Sequence, residues 1–477
     1  MRRWLVAAIL ALTLPVLPIA QQRTLTDNVK AFVRVSAPVV ALTNVRLIDG
    51  TGAPPRELQT MILRDGLIAE MGDTPRVTIP SDADTLDLTG RSVIPGLVML
   101  HEHLYYPTGP GVYGQLGESF TRLYLAGGVT TMRTGGNVNG FMDMSLMRAI
   151  EAGEKAGPAI DATAPYVNGP STFQQMTAVT SAEQARQHVE YWAAQGATSL
   201  KAYMQISRAA LGEAITVAHQ RGMKVTGHLC SVTYAEAAEL GIDNLEHGFL
   251  AATDFVADKQ PDICPGQGRG QQSIAALDES SEAFSVLVSK LIDKRVALTS
   301  TLTVFETFTP GRPMPPGLDV LTPQLKQQFE QARARVTSQA AQGSNPYQNM
   351  KLFPKAMALE RAFARAGGLL VAGTDPTGAG GVIPGYANQR QIELLVEAGF
   401  TPLEAIRIAT LNGARYLERD RSIGSLAAGK QADLVVLNGD PSTNIGAVRN
   451  VEIVFRRGIG FDPAKLVASV SGSVGLF

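Results

Sequence analysis

The stretch "PGLVMLHEHL", residues 95–104, governs how this chain is read, because it places two of only six histidines at the end of an apolar run. If the run is a strand, side chains alternate between its faces. His101 and His103 then point the same way and Glu102 the other. Two imidazoles converging on one volume suggest a metal; taken alone, they also fit a pair of histidines in polar contacts at a strand end. The remaining strands decide between these readings.

Working outward, the region from 94 to 423 alternates short apolar strands with amphipathic helical segments: "GVTTMRTGG", "AIDATAPYVNG", "ATSLKAYM", "MKVTGHLC", "IDNLEHG", "RVALTSTLTVF" and "LLVAGTDP". Such alternation signals βα units around a parallel sheet. With the opening stretch as the first, about eight strands result, as a (β/α)8 TIM barrel requires; a doubly wound open sheet is the structural alternative. Thr401, Pro402 and Glu404 carry the signature of a helix N-terminus closed by a capping box. The connections at 249–282 and 306–355 are unusually long, and long loops of this kind cover sites.

The flanks read differently. Residues 23–93 and 424–477 hold strand-like runs with turn signals, among them Asp65-Gly66. Neither piece suffices for a core of its own, so the two ends are expected to pair into a small β-sandwich. Residues 1–22 combine Arg2 and Arg3, an apolar stretch from Trp4 to Leu14 and a small residue at Ala20, the layout of a secretory signal. Export to a periplasmic or extracellular location follows, with no membrane span beyond the leader. Pro18, three residues before the cut, departs from the usual small residue and leaves an uncleaved anchor as the alternative.

Composition sets further bounds. The chain has 477 residues, 45% of them hydrophobic, and a formal net charge of -1. That charge gives no basis for binding nucleic acid, and a small, mostly neutral partner is expected. Cys230 and Cys264 are too few for a disulfide framework, and spacing does not tell whether they pair.

The polar residues within the strands form a pattern. His101 and His103, Lys201, His228, His247 and Asp375 all fall at or near C-terminal strand ends, which converge on one face of a parallel barrel. His188 and His219 sit in helical segments and read as surface or packing residues. Imidazoles with one carboxylate favour zinc or a similar metal over calcium or magnesium. Lys201 is the odd member, since an ammonium repels a cation. A lysine neutralised by burial can instead take up carbon dioxide as an anionic carbamate able to bridge two metals. Alone, it would read as a lysine reaching toward solvent.

"HEH", the strand-four lysine, "GH", "EHG", "GTDP" and the closing "GSLAAGKQADLVVL" together resemble the amidohydrolase superfamily. Among its branches the chain is most similar to the imidazolonepropionase-related one, and within that to binuclear peptidase-like members with a carboxylated lysine. The resemblance implies that His101, His103 and Asp375 hold one metal, His228 and His247 the other, and the Lys201 carbamate bridges them. It implies hydrolysis of an amide in a dipeptide, an N-acyl amino acid or an ochratoxin-like compound, and a homo-oligomer. Two metals sharing a water would lower its pKa, and Asp375 would take the proton and return it to the departing amine. Hydrolysis of a cyclic amide or lactone at the same centre, and a non-catalytic binding relative, are the alternatives. Met99 stands where the family commonly has an Asp, removing the usual carboxylate neighbour of His101. Tyr203 and Arg133 are candidate substrate contacts, Tyr105 and Tyr106 candidate pocket walls, and "PTGAGGVIPG" after Asp375 resembles a mobile loop.

Overall fold

A computed structural model describes residues 24–109, 111–170, 175–343 and 351–475; the leader read over residues 1–22 lies outside them. Eight strands follow the predicted segments: β1 (Leu97–Glu102), β2 (Val129–Thr134), β3 (Ala159–Asp161), β4 (Ser199–Ala202), β5 (Lys224–Gly227), β6 (Asn244–Glu246), β7 (Ala297–Ser300) and β8 (Leu370–Ala372). Their neighbouring pairs are parallel, and every residue of β1, β2 and β4 is buried, as strands covered on both faces require. Helices alternate with them, several closed by the predicted chemistry. Thr233 and Glu236 form a capping box before Tyr234–Leu240, and Thr401 and Glu404 form another with Pro402 in the first turn.

The ladder is not one closed ring. β1, β2 and β3 form a three-stranded sheet, and β4 to β8 belong to a second of seven strands. The break falls inside strand three. Asp161 still pairs with Arg133, whereas Val167 pairs with Ala202; between them lie isolated bridges, and Pro165 has no N–H to donate. At the other seam, the backbone N–H groups of Thr374 and Asp375 both reach the His101 carbonyl, at 3.1 and 3.0 Å.

Strands from both chain ends join a single nine-stranded sheet. Leu434–Asn438 lies between Arg91–Pro95 and Val451–Arg456, antiparallel to both. Val40, Leu42, Leu63, Val93, Leu434, Val436 and Phe455 form one buried cluster there, so the apolar faces of both ends are spent on each other. The Asp65-Gly66 turn has φ values of 51° and 78°, the positive pair that a tight hairpin needs.

The two long connections hold structure of their own. The one over 249–282 contains the helix Gln267–Ala276, and the one over 306–355 contains Pro323–Ala341. The guanidinium of Arg333 donates to the carbonyls of Thr307, Thr309 and Arg312, at 2.9, 3.0 and 2.6 Å, and pins the start of the second. The glycine-rich run after Asp375 is packed: the Gly381 N–H donates to the Tyr106 hydroxyl at 2.7 Å, and a Cβ on Gly378 would meet the Phe308 ring at 2.7 Å. No helix among the described residues is long and apolar enough to cross a membrane.

Cys230 and Cys264 form a disulfide across 34 residues, tying the segment just after β5 to the 249–282 connection. By loop-closure entropy such a crosslink contributes about 2–4 kcal/mol. Reduction, or Cys264→Ser, is expected to lower the denaturant midpoint accordingly; an unchanged midpoint would show that other contacts hold the segment.

Candidate metal centre

Alternation along β1 does what the opening stretch predicts. Glu102 turns away from the two histidines and accepts from Asn388 Nδ2 at 2.9 Å and from the Thr374 hydroxyl. His101 and His103 face the volume enclosed by the strands, where glycines make room for them. A Cβ on Gly135 would lie 2.4 Å from the His101 ring, and one on Gly373 2.4 Å from His101 Cβ. Gly136, at φ 109°, offers its carbonyl to His103 Nδ1 at 3.0 Å.

The predicted ligands converge. His103 Nε2 lies 3.2 Å and His101 Nε2 3.7 Å from Asp375 Oδ1, and the ligand atoms of these three residues all fall within 4.8 Å of one another. His247 Nδ1 is 3.9 Å from Asp375 Oδ2, and its ring centroid lies 4.8 Å from that of His101 and 4.6 Å from that of His228. His247 and Asp375 both take left-handed φ, 67° and 55°, re-aiming each side chain where its strand stops. Lys201, 1% exposed, completes the group from β4.

The hydrogen bonds select tautomers. His101 Nδ1 is 2.7 Å from Glu246 Oε2, and His103 Nδ1 faces a carbonyl, so each Nδ1 carries the proton and donates it. Each Nε2 then presents a lone pair to the interior. Burial holds the His101 and His228 imidazoles neutral, at about 4 and about 3, and pushes His247 well below its ordinary value. Burial likewise lowers the Lys201 ammonium to about 8, against the pull of Glu246 and Asp375. Burial raises the Asp375 carboxyl, but the adjoining His101, His103 and His247 rings outweigh it and keep the group well below the carboxylate range. Lys201 Nζ stands 3.6 Å from Glu246 Oε1 and has no hydrogen-bond partner among the described residues.

Glu246 is the residue that sequence reasoning missed. Besides His101 it accepts from Arg133 Nη2 at 2.7 Å and from the Thr226 hydroxyl. It thereby gives His101 the carboxylate that Met99 does not. Arg133 corrects the expectation of a substrate contact: it is 0% exposed beneath the site, donating to Tyr416 at 3.0 Å and Asn244 at 3.2 Å as well. Tyr106 also turns from the pocket and packs edge-on against Phe120. Tyr203 is at the site, its ring 4.8 Å from His228, as its position two residues beyond Lys201 implies. Tyr105 stacks on His103 at 4.5 Å. His188 and His219 lie elsewhere, bonded to the Pro165 carbonyl and to Asp243. Glu246→Gln keeps the shape but leaves Arg133 without its counter-charge. It should weaken metal affinity about 10- to 100-fold, read by titration against a competing chelator, and an unaltered affinity would refute this role.

Residues 92–459 match the amidohydrolase family. Over 85 residues the chain is 34% identical to adenine deaminase 3 of Rhizobium meliloti (strain 1021), a match spanning 18% of this chain and only 13% of that relative. A solved structure of a candidate prolidase from Bifidobacterium longum is 25% identical, with a TM-score of 0.66, and the match covers 91% of this chain and 99% of that one. The A. niger ochratoxinase structure shares the fold at 16% identity and a TM-score of 0.62, with 90% and 96% covered. The chain belongs to the amidohydrolase family, metal-dependent hydrolases of carbon–nitrogen bonds.

Proposed function

We propose that this chain hydrolyses the amide bond of a dipeptide, an N-acyl amino acid or an ochratoxin-like amide, using two divalent metal ions, zinc in the first instance. In this reading His101, His103 and Asp375 would hold one ion and His228 and His247 the other, and Lys201 would supply its carbamate between them, at the C-terminal face of a (β/α)8 barrel. The observation that carries it is the Lys201 amine, buried and without a hydrogen-bond partner among the described residues, beside the histidines and Asp375. Such an orphaned donor is costly unless something completes it. A carbamate supplies anionic oxygens, and the donor set of imidazole nitrogens and carboxylate oxygen suits zinc.

Metal ions, if held here, would lower the pKa of a water and polarise a carbonyl. The protein's own residues do the rest. Asp375 is ionised and reachable from the site, whereas Glu246 is locked beneath it by Arg133 and Thr226. Asp375 therefore accepts the proton of the attacking water and delivers it to the amide nitrogen as the C–N bond breaks. Tyr203, against His228, flanks the substrate. The likeness to a candidate prolidase and to an ochratoxinase supports this substrate range. Export to an oxidising compartment is supported by the Cys230–Cys264 disulfide.

The test is release of free amines, read by mass spectrometry, from a mixed library of dipeptides and N-acyl amino acids. Zinc-loaded protein is assayed with bicarbonate present. Wild type should release amino acids, and Asp375→Asn should be slower by about 100- to 10,000-fold while remaining folded. Turnover confined to cyclic amides or lactones would refute the substrate class, and a near-normal Asp375→Asn rate would refute its role.

A further inference from the structure

Two tyrosines outside the candidate ligand set meet at the centre. The hydroxyls of Tyr105 and Tyr166 lie 2.5 Å apart, and both lie close to His103 Nε2, at 3.4 and 3.5 Å. Asp375 Oδ1 approaches the same nitrogen, at 3.2 Å. Both tyrosines are buried. Among the described residues their hydroxyls have no hydrogen-bond partners but each other and this one nitrogen.

Separate features of the fold bring them there. Tyr105 opens a β-hairpin, Tyr105–Gly109 with Val112–Gln115, inserted directly after the histidine pair. Tyr166 comes from the interruption of strand three, where pairing thins to isolated bridges, one of them Asn137–Pro165, and the Tyr166 N–H donates to the Asn137 carbonyl at 3.3 Å. A Cβ on Gly136 would lie 2.6 Å from the Tyr166 ring, so that glycine leaves the space the ring fills.

Two phenols carry two protons. One is used in the bond between them and the other needs an acceptor. His103 Nε2 provides a lone pair only while that lone pair is free. Were a metal to take that lone pair, the remaining phenolic proton would turn to an oxygen in the same volume. We propose that the Tyr105–Tyr166 hydroxyl pair is a catalytic oxyanion donor, binding the carbonyl oxygen of the substrate as its charge develops. This rests on the amide hydrolysis proposed above. The water oxygen bonds to the carbonyl carbon, the π pair moves onto the carbonyl oxygen, and Asp375 takes the water proton. The pair then returns, the C–N bond breaks, and Asp375 gives its proton to the nitrogen. The tyrosines only donate hydrogen bonds and end unchanged.

Tyr166→Phe and the double variant Tyr105→Phe/Tyr166→Phe test this, with melting temperature and zinc content as controls. The double variant should lose about 100- to 1,000-fold in kcat with KM within roughly threefold. Its affinity for a phosphonate analogue of the tetrahedral state, measured calorimetrically, should fall by a similar factor. Tyr166→Phe should shift in the same direction and carries the test should the double variant not fold. A loss confined to KM, or a kcat and analogue affinity within roughly threefold of wild type, overturns the inference and marks the pair as a pocket wall. A wild type that turns over no amide overturns the underlying reading, and the inference with it, before any variant is compared.

Discussion

The carboxylate of Glu246 is the constraint on which the site depends. It is fully enclosed, and an enclosed anion is tolerated only when its oxygens are engaged and its charge is opposed. Arg133 opposes the charge, Thr226 and His101 engage the oxygens, and the Lys201 amine stands just beyond hydrogen-bond length. One side chain thus fixes the His101 tautomer, keeps a guanidinium beneath the site and sets the electrostatic floor under Lys201. The next residue, His247, leaves the strand with left-handed backbone and turns into the same volume. Burial pushes the Glu246 carboxyl up, yet Lys201, His101 and Arg133 together carry it well below the ordinary range, so it stays an anion.

This polar floor sits on an apolar frame. The strands are short and buried on both faces, and the ladder breaks inside strand three and again between β8 and β1. Each break serves the site. The first releases Tyr166 toward His103, and the second bends Thr374 and Asp375 back onto the His101 carbonyl. Regular pairing is given up where side chains must be aimed, and the strained backbone of Asp375 and His247 is held by the surrounding packing. The nine-stranded sheet of both chain ends and the Cys230–Cys264 bridge secure the periphery.

What could be read without a structure follows from the range of each interaction. The face shared by His101 and His103, the turn at Asp65-Gly66 and the cap at Thr401 depend on neighbours within a few residues, so spacing reveals them. That the six candidate residues would share one volume was legible because strand ends converge by topology alone. Arg133 was misread because a polar residue near a strand end gives no sign of its depth, and its partner Glu246 lies 113 positions away. Glu246 was passed over as the filler of an "EHG" motif. The absent carboxylate at Met99 was the clue that another must serve His101. Tyr166 was hidden because the break in strand three reads as continuous sequence, and the cysteine pairing because it needs a distance.

The central claim is that these side chains form a two-metal centre completed by Lys201. The direct measurement is elemental analysis of wild type and Lys201→Ala, each loaded with zinc in bicarbonate and then freed of loosely bound metal. Two ions per chain retained by wild type, and fewer by the variant, is the predicted result. Fewer than two in wild type, or the same content in both, would contradict it.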